Sequence, residues 1–334
     1  MSSRKLDGLS EAQRDAAHAA LRNVLGSTPI DAIAPVSGGT TTAAVFRIDA
    51  AGRSYLLRVE GQPSPMRNPY QYASMRTAAA AGIAPPLHFA DEAGRVAVMD
   101  FIVWRPLGAY PGGPAALARA LGELLRRLQA TPTFTFPVEY PDIVARLWAH
   151  VCRTGLFAPG VLDPCTARLE DISRAYRAGA SNLVSSHNDP VPGNILFDGE
   201  RLWLVDWESA VPNDPLVDIA IVADNLARSQ ELESVLLQAW LQRAPDDALF
   251  ARLALVRSLT RLYYAGVMLS ASATFPRAMP DRDLSAPTPA EYRAAVSAGR
   301  IRRGTGQIKH VLGKMLLASF LTDVATPGFD IPAR

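Results

Sequence analysis

Residues 185–220 decide how this sequence is interpreted, and they read SSHNDPVPGNILFDGERLWLVDWESAVPNDPLVDIA. Polar and acidic residues are denser here than elsewhere in the chain, although the strand-like segments between them are apolar. The group consists of His187, Asp189, Asn194, Asp206, Glu208, Asp214 and Asp218. Loops held together by a hairpin can direct such groups at one point, so the stretch predicts a functional site.

Two parts of the stretch are suited to holding a divalent cation. Asp189 and Asn194 lie five residues apart on a loop with two prolines and a glycine, and Asp206 directly follows an apolar strand. Carboxylate and amide oxygens suit Mg²⁺, which accepts few protein ligands and completes its shell with water and phosphate oxygens. A further carboxylate that is not a ligand can then receive or orient a hydroxyl group.

A simpler interpretation of the same residues is a set of caps and turns. Asp198-Gly199 predicts the turn of a hairpin between NILF and RLWLV. Asp214 before Pro215 suits a helix N-cap followed by a proline, and Asp218 is expected to anchor the same helix. A lone histidine such as His187 is as often a satisfied core residue as a catalytic one.

The loop and the segment after it resemble a known group of enzymes. HNDPVPGN followed by VDWE is similar to the catalytic loop and metal-binding segment of the protein-kinase-like small-molecule kinases. Within that superfamily the chain resembles aminoglycoside phosphotransferases and, through DWE and NDPLVDIA, the choline/ethanolamine kinase family. The order of the elements agrees over about residues 30–325, whereas only residues 185–220 match closely.

The resemblance implies an enzyme that uses ATP and Mg²⁺ to phosphorylate a hydroxyl group of a small molecule. It implies that Asp189 accepts or orients the substrate hydroxyl, that Asn194 and Asp206 hold Mg²⁺ on the nucleotide phosphates, and that His187 braces the loop. Phosphoryl transfer depends on positioning and charge neutralisation, which these residue types supply.

Two segments resemble parts of a nucleotide site. A glycine-rich turn between the first two predicted strands is similar to the nucleotide-covering loop, with Gly38, Gly39 and Thr40 facing phosphates, although a plain hairpin turn explains it equally well. The segment MDFI, with Asp100 and Ile102, resembles the hinge whose backbone groups pair with adenine.

One strand departs from the usual kinase pattern. YLLRVE carries Arg58 where many kinases carry lysine, and the only lysines of the chain are Lys5, Lys309 and Lys314. A guanidinium can bind phosphate through two nitrogens, so Arg58 is compatible with catalysis. The alternative interpretation of Arg58 is an ordinary surface arginine on a strand. The usual glutamate of the following helix is absent, and Gln71 occupies the corresponding place.

For the acceptor, Trp207, Glu208 and Tyr264 are candidate substrate contacts. Aromatic and acidic groups suit a cationic amino alcohol, which makes a choline- or ethanolamine-like substrate the favoured one. Residues 220–334 are rich in arginine, which argues against a polycationic aminoglycoside. A pair of neighbouring tyrosines on a helix is more often core.

Outward from this stretch, the periodicity predicts the remaining elements. A helix fits residues 10–25, three antiparallel strands fit residues 31–60, a helix fits 70–81, and two strands fit 87–90 and 95–102. Helical stripes follow at 116–130, 140–156, 164–178, 215–243, 248–270 and 307–322, and the proline-rich stretch at 276–289 is expected to be a loop.

These elements predict an α+β fold with two lobes, like that of protein kinases. A small N-terminal lobe with an antiparallel sheet, residues 1–102, would bind nucleotide. A larger, mainly helical C-terminal lobe, residues 103–334, would carry catalysis and bind the substrate. The length, 334 residues, also favours two cores over one.

Composition and motifs exclude several other classes. The 34 basic and 32 acidic residues form no run of like charge, so neither nucleic acid nor an anionic membrane is an expected partner. No Walker-type phosphate loop or G-x-G-x-x-G motif occurs, and two cysteines cannot form a disulfide framework. We expect a cytoplasmic protein and leave the oligomeric state open.

A second hypothesis is a nucleotide-binding pseudokinase. Arg58 and the missing helix acid favour it, whereas the retention of Asp189, Asn194 and Asp206 argues against it. ATP consumption in the presence of a panel of alcohols would separate an enzyme from a binding protein.

Overall fold

A computed structural model describes residues 6–36, 43–61, 68–136, 139–178, 182–275, 279–302 and 305–324. The predicted nucleotide-covering residues Gly38, Gly39 and Thr40 lie outside the described residues. The chain forms two compact units. The first comprises the described parts of residues 1–137, 183–212 and 222–244, and the second those of 138–182, 213–221 and 245–334. The predicted lobe boundary at residue 102 does not coincide with these units and stays a prediction.

The strands are short and mostly N-terminal. They are β1 (Ala32–Pro35), β2 (Ala44–Ala50), β3 (Arg53–Val59), β4 (Leu87–Asp91), β5 (Val96–Asp100), β6 (Val184–Ser186), β7 (Ile195–Phe197), β8 (Leu202–Leu204) and β9 (Val211–Asn213). The first five form one antiparallel sheet in the order β1-β2-β3-β5-β4, and β7 pairs with β8 as an antiparallel hairpin.

Helices make up most of the remainder. They are α1 (Glu11–Leu25), α2 (Gln71–Ala80), α3 (Gly113–Gln129), α4 (Tyr140–Arg153), α5 (Asp163–Ala178), α6 (Leu216–Leu226), α7 (Gln230–Leu241), α8 (Asp247–Ser272), α9 (Pro289–Ser297) and α10 (Gly306–Val324). The predicted α+β fold class, a small antiparallel sheet followed by a mainly helical remainder, is therefore confirmed.

The central strand β3 places side chains on two different faces of the sheet. Tyr55, Leu57 and Val59 are buried in a core that also contains Ala17 and Leu21 of α1. Side chains alternate between the two faces along a strand, so Arg58 lies on the opposite face. Glu60, two residues further on, belongs to the same face as Arg58.

Two helix pairs pack closely through glycines. In the first unit Gly122 of α3 lies against the backbone of α7, since a Cβ there would be 2.5 Å from the Leu236 carbonyl oxygen. In the second unit Gly266 of α8 lies against Leu147 of α4, since a Cβ on this glycine would be 2.8 Å from the leucine Cγ. Such contacts leave no room for a side chain.

Asp214 has the capping role predicted for it. Its Oδ1 accepts a hydrogen bond of 2.9 Å from the Leu216 amide at the start of α6. Its Oδ2 pairs with Arg252 of α8 at 2.7 Å, and the side chain is 1% exposed. Both contacts lie within the second unit and explain why an aspartate stands there.

No helix in the described part of the chain has the length and apolar character needed to cross a membrane.

Candidate functional site

The loop after β6 holds Asp189 and Asn194 together. The Asn194 side-chain nitrogen donates to the Asp189 carbonyl oxygen at 2.9 Å and to its Oδ2 at 2.8 Å. The Val191 amide donates to the Asp189 carbonyl at 2.8 Å, and Asn194 lies in a 3₁₀ turn that leads into β7. Because both amide hydrogens of Asn194 are directed at Asp189, its side-chain oxygen points away from Asp189.

Hydrogen bonds to Val205 connect this loop to the strand end that carries Asp206. The Val205 amide donates to the Asn194 carbonyl at 3.0 Å, and the Val205 carbonyl lies 3.0 Å from His187 Nε2. The β7–β8 hairpin adds the pairing of Ile195 with Leu204. Asp206 therefore directly follows Val205, whose amide and carbonyl both form hydrogen bonds with the loop.

His187 acts here as a neutral hydrogen-bond donor. It is fully buried, and burial lowers its pKa to about 4 although the negative charge of Asp206 opposes the shift. A neutral ring in contact with a carbonyl must donate through Nε2, so the Val205 contact fixes the tautomer. The ring also packs against Trp207, with centroids 4.7 Å apart. These contacts agree with the predicted bracing role.

Asp206 adopts a left-handed backbone conformation, with φ of 68° and ψ of 70°. Such a conformation is uncommon for residues other than glycine and is tolerated best by aspartate and asparagine. The residue begins a 3₁₀ turn, Trp207–Ser209, and its side chain is 17% exposed. The turn directs the carboxylate to Arg58, whose Nη2 lies 2.9 Å from Asp206 Oδ1.

Arg58 is a buried residue surrounded by acids, so its interpretation as a surface arginine is wrong. Its side chain is 11% exposed and contacts Glu60, Asp206 and Glu208, at 2.5, 2.9 and 3.3 Å. Burial alone would lower the pKa of the guanidinium, but the attraction of Asp206 and Glu60 outweighs burial and raises it. Arg58 is permanently charged here.

The acids that pair with Arg58 do not come from α2. This helix contains no acidic residue, as the sequence indicated, and Gln71 is not among the three partners. Glu60 comes instead from the end of β3 and Glu208 from the 3₁₀ turn. Sequence reasoning missed Glu60, although Arg-x-Glu in a strand is a signal, because residues two apart point to the same face.

Backbone contacts hold Glu208 beside Arg58. The Asn68 amide donates to the Glu208 carbonyl at 2.9 Å, and Ser74 of α2 donates to the Ala210 carbonyl at 3.3 Å. The turn after Asp206 is thus attached to the start of α2. The Glu208 carboxylate is 26% exposed and faces Arg58, so it remains accessible at one side.

Trp207 is a core residue, which is inconsistent with its predicted place in a substrate wall. Its side chain is 2% exposed, its Nε1 donates to the Leu204 carbonyl at 3.2 Å, and its ring packs edge-on against Phe134 at 6.2 Å. A ring enclosed in this way has no surface for a substrate. Tyr264 lies on α8 in the second unit, half-buried against Tyr263, and its contact with a substrate stays a prediction.

The segment predicted as a hinge has several backbone groups already in use. The Asp100 amide donates to Pro86 at 2.9 Å, the Phe101 amide to Ser54 at 3.1 Å and the Arg105 amide to Phe197 at 2.7 Å. The Asp100 side chain contacts His88 Nε2 at 2.7 Å. A cleft of about 530 Å³ is lined by residues 101–103, Arg105 and residues 198–200. Ile102 therefore borders a cavity, as a hinge residue would.

The residues at this site fit a magnesium ion. The Asn194 side-chain oxygen and the Asp206 carboxylate are hard oxygen donors, and Arg58 with its three acids sums to a formal excess of negative charge. Within the described ranges, no group of three or more His, Cys, Asp or Glu residues forms a complete metal cage. Magnesium suits such a partial set because it retains water and binds phosphate oxygens.

The sequence places the chain in a family. Residues 32–255 match the "Phosphotransferase enzyme family" (APH), which is more than half of the chain. This chain belongs to that phosphotransferase family. A curated relative, Protein LicA of Haemophilus influenzae, is 43% identical over 58 residues, which are 17% of this chain and 22% of that protein. The match thus spans less than a quarter of the relative's length.

Solved structures with the same fold agree with this membership. A choline/ethanolamine kinase family protein from Mesorhizobium loti has a TM-score of 0.67 and 22% identity, and the match covers 95% of this chain and 96% of that one. The spectinomycin phosphotransferase APH(9)-Ia, crystallised with ADP and spectinomycin, has a TM-score of 0.53 and 13% identity, with coverage of 77% and 88%. The predicted kinase-like fold and the predicted membership in a phosphotransferase family are confirmed.

Proposed function

We propose that this phosphotransferase uses ATP and Mg²⁺ to phosphorylate a hydroxyl group of a small molecule, and that a choline- or ethanolamine-like amino alcohol is the favoured acceptor. The observation that carries the proposal is the hydrogen-bonded assembly of Asp189, Asn194 and Val205, which joins a half-buried carboxylate to the segment bearing Asp206. Residues 1–102 would form the nucleotide-binding lobe and residues 103–334 the lobe that binds the acceptor.

Asp189 would orient the acceptor hydroxyl and accept its proton. The Asn194 side chain fixes one carboxylate oxygen of Asp189 by a hydrogen bond of 2.8 Å, which restricts rotation of the carboxylate before substrate arrives. Orientation of this kind is a large part of catalysis by positioning. Asp189 is half-buried, so a substrate can reach it from solvent.

Asn194 and Asp206 would hold the magnesium ion, which when bound neutralises charge on the nucleotide phosphates. Arg58 would contribute a second positive charge to the phosphates. Its guanidinium contacts Asp206 and Glu208 through Nη2. His187 would keep the Asp189 loop and the Asp206 strand end in register through the Val205 carbonyl. Ile102 and the Asp100 carbonyl would pair with adenine, because the Asp100 amide already donates to Pro86.

The proposal of an amino alcohol rests on the likeness to choline/ethanolamine kinase family members and on the motif DWE. The Glu208 carboxylate could attract a cationic head group because one side of it remains exposed. Its ion pair with Arg58 offsets part of that negative charge. Tyr264 is a further candidate contact, whereas Trp207 is not, because its ring is enclosed.

An aminoglycoside or related antibiotic is the second candidate acceptor. The fold similarity to a spectinomycin phosphotransferase favours it. The arginine content of residues 220–334 disfavours an acceptor with several positive charges.

The test is formation of ADP from MgATP in the presence of individual acceptors. Choline, ethanolamine, spectinomycin and an aminoglycoside are compared with a control without acceptor, and the phosphorylated product is identified by mass spectrometry. We expect turnover with choline or ethanolamine and none after Asp189→Asn. Turnover with spectinomycin alone would transfer the proposal to antibiotics. Binding of MgATP without turnover on any alcohol would favour a pseudokinase.

A further inference from the structure

The Arg58 side chain is held from two directions. Its Nε lies 2.5 Å from Glu60 Oε1 on one side, and its Nη2 contacts Asp206 and Glu208 on the other. The contacts with the three acids use Nε and Nη2, which makes Nη1 the nitrogen proposed to approach a ligand. The direction of Nη1 depends on what fixes Nε.

Glu60 is fixed more firmly than either of the other two acids. Its carboxylate is 3% exposed, compared with 17% for Asp206 and 26% for Glu208. Its amide donates to the Arg95 carbonyl at 2.9 Å, and its carbonyl accepts from Gln13 Nε2 at 3.1 Å. The backbone at Glu60 is therefore attached both to the chain entering β5 and to α1.

Helix α2 contributes an aromatic side chain near this pair instead of an acid. Tyr72 of α2 is 3% exposed, and its hydroxyl has no hydrogen-bond partner among the described residues. Burial and the negative charge of Glu60 both raise the pKa of that hydroxyl, while Arg58 lowers it. Among the three acids that contact Arg58, Glu60 is both the nearest and the most buried.

Asp206 and Glu208 are less suited to fix the arginine. Both lie on the segment proposed to meet the metal, and Asp206 would have to serve the metal and Arg58 at once. A carboxylate that lies outside the metal site can orient the guanidinium in every state of the enzyme.

We propose that Glu60 is the positioning residue that orients Arg58 toward the nucleotide phosphates, so that the arginine and its acid both come from the β3 chain. The inference rests on the proposed nucleotide-dependent function. Glu60 acts through Arg58 and does not itself touch the nucleotide.

The test measures binding of MgADP by titration calorimetry, together with thermal unfolding of each variant. In Glu60→Gln the side chain keeps its shape but loses its charge, and we expect Kd for MgADP to rise about tenfold, which corresponds to about 1.4 kcal/mol. Glu92→Gln is the matched control, because Glu92 pairs with Arg76 at 2.5 Å but is 52% exposed. It should bind MgADP like the parent.

A double-mutant cycle shows whether Glu60 acts through Arg58. Lysine lacks the Nε and the planar guanidinium through which Arg58 contacts Glu60. In the Arg58→Lys background, Glu60→Gln should therefore alter Kd for MgADP by less than about twofold. If Glu60→Gln folds poorly, Glu60→Asp retains the charge with one methylene fewer and should bind with intermediate affinity.

The outcomes separate the inference from the function on which it rests. A parent protein that binds no MgADP would overturn the proposed function. A parent that binds, with a Glu60→Gln variant of equal Kd and lower thermal stability, would show that Glu60 only neutralises a buried charge and would overturn the inference alone. A full tenfold effect in the Arg58→Lys background would do the same.

Discussion

Asp189 and Asn194 show how one side chain can prepare another for chemistry. The amide group of Asn194 directs both of its hydrogens at Asp189, so a single residue orients the proposed base and presents an oxygen elsewhere. The six-residue segment 189–194 contains two prolines, which limit the conformations available to both residues. The covalent chain itself therefore restricts the orientation of the proposed base, Asp189.

Replacing Asp189 by asparagine should separate catalysis from binding. The amide keeps the shape and accepts the Asn194 hydrogen bond, but it cannot take a proton, so kcat should fall by about 10²–10⁴-fold. The Kd of MgATP should stay within about twofold of the parent, because Asp189 is not assigned to the metal. Steady-state kinetics with the cognate alcohol and an ATP titration measure both.

Asp246→Asn is the control for this substitution. Asp246 caps α8 through the Leu249 amide at 2.9 Å, and asparagine is an equally good cap, so this variant should keep full activity. An Asp189→Asn enzyme with parental kcat would show that Asp189 is only a turn residue before Pro190.

His187 should make the protein less stable in mild acid. Its pKa is about 4 in the folded protein and about 6.5 when unfolded, so its contribution to stability is complete above pH 6.5 and is lost as the pH falls toward 4. Between about pH 7.5 and about pH 5 the loss should be about 2 kcal/mol in the free energy of unfolding.

Urea unfolding of His187→Gln at the same two pH values checks this expectation. Glutamine can donate to the Val205 carbonyl but does not titrate, so the variant should lose that part of the pH dependence. His150→Gln, at an exposed position on α4, should retain it. If the free energy of unfolding of His187→Gln depends on pH as that of the parent does, burial does not lower the pKa of His187 as stated.

At the scale of elements, the pattern of apolar residues predicts helices and strands well where caps and breakers are present. The predicted helix at residues 10–25 corresponds to α1, whose capping box links Ser10 with Gln13. The predicted stripe at 215–243 is in fact two helices, α6 and α7. Periodicity alone did not show the break, because no glycine or proline lies between them and the apolar face continues.

The proline-rich stretch at 276–289 is a loop in its described part up to residue 288, as expected, but the helix that follows it was missed. This helix is α9 at Pro289–Ser297, and Thr288 and Glu291 form its capping box. The signal was present in the sequence as Thr-x-x-Glu, with proline at the first helical position. Glu60 was missed for a different reason: it shares a strand face with Arg58, whereas the resemblance to kinases pointed to an acid on a helix.

Gly122 should be indispensable to the contact between α3 and α7. A Cβ there would lie 2.5 Å from the Leu236 carbonyl oxygen and 3.0 Å from the Trp240 amide nitrogen, so both are backbone obstacles that cannot rotate away. Gly122→Ala should lower the free energy of unfolding by about 1–3 kcal/mol in spite of alanine's higher helix propensity.

Chemical denaturation measures this, with Gly108→Ala as the control. Gly108 has no atom within 4 Å of a Cβ position, so its variant should match the parent. An unchanged midpoint for Gly122→Ala would mean that α3 and α7 can move apart at little cost.

At the scale of the whole molecule, the described residues proposed for catalysis and metal binding, with Arg58 and Glu60, all belong to the first compact unit. The sequence predicts Asp189, Asn194 and Asp206 as a group because these three candidates lie close together along the chain. It did not anticipate Glu60 or the burial of Trp207, because these depend on how distant segments pack. Tyr264 lies in the second unit, and its role depends on the acceptor.

The proposed ligands should stabilise the folded chain. A ligand that binds only the folded state stabilises it by about 2.7 kcal/mol at a concentration of 100 times Kd, so saturating MgATP should raise Tm by several degrees. Asp206→Asn should abolish most of that shift because it removes a charged metal ligand. Asparagine is preferred to alanine because it tolerates the left-handed backbone at φ 68°.

Asp142→Asn is the control, since Asp142 pairs with Arg177 at the surface of the second unit. Differential scanning fluorimetry with ATP, in magnesium and in EDTA, gives the comparison. A Tm shift that is equal in Asp206→Asn and the parent, or independent of magnesium, would remove Asp206 from the metal site and leave its carboxylate as a partner of Arg58 alone.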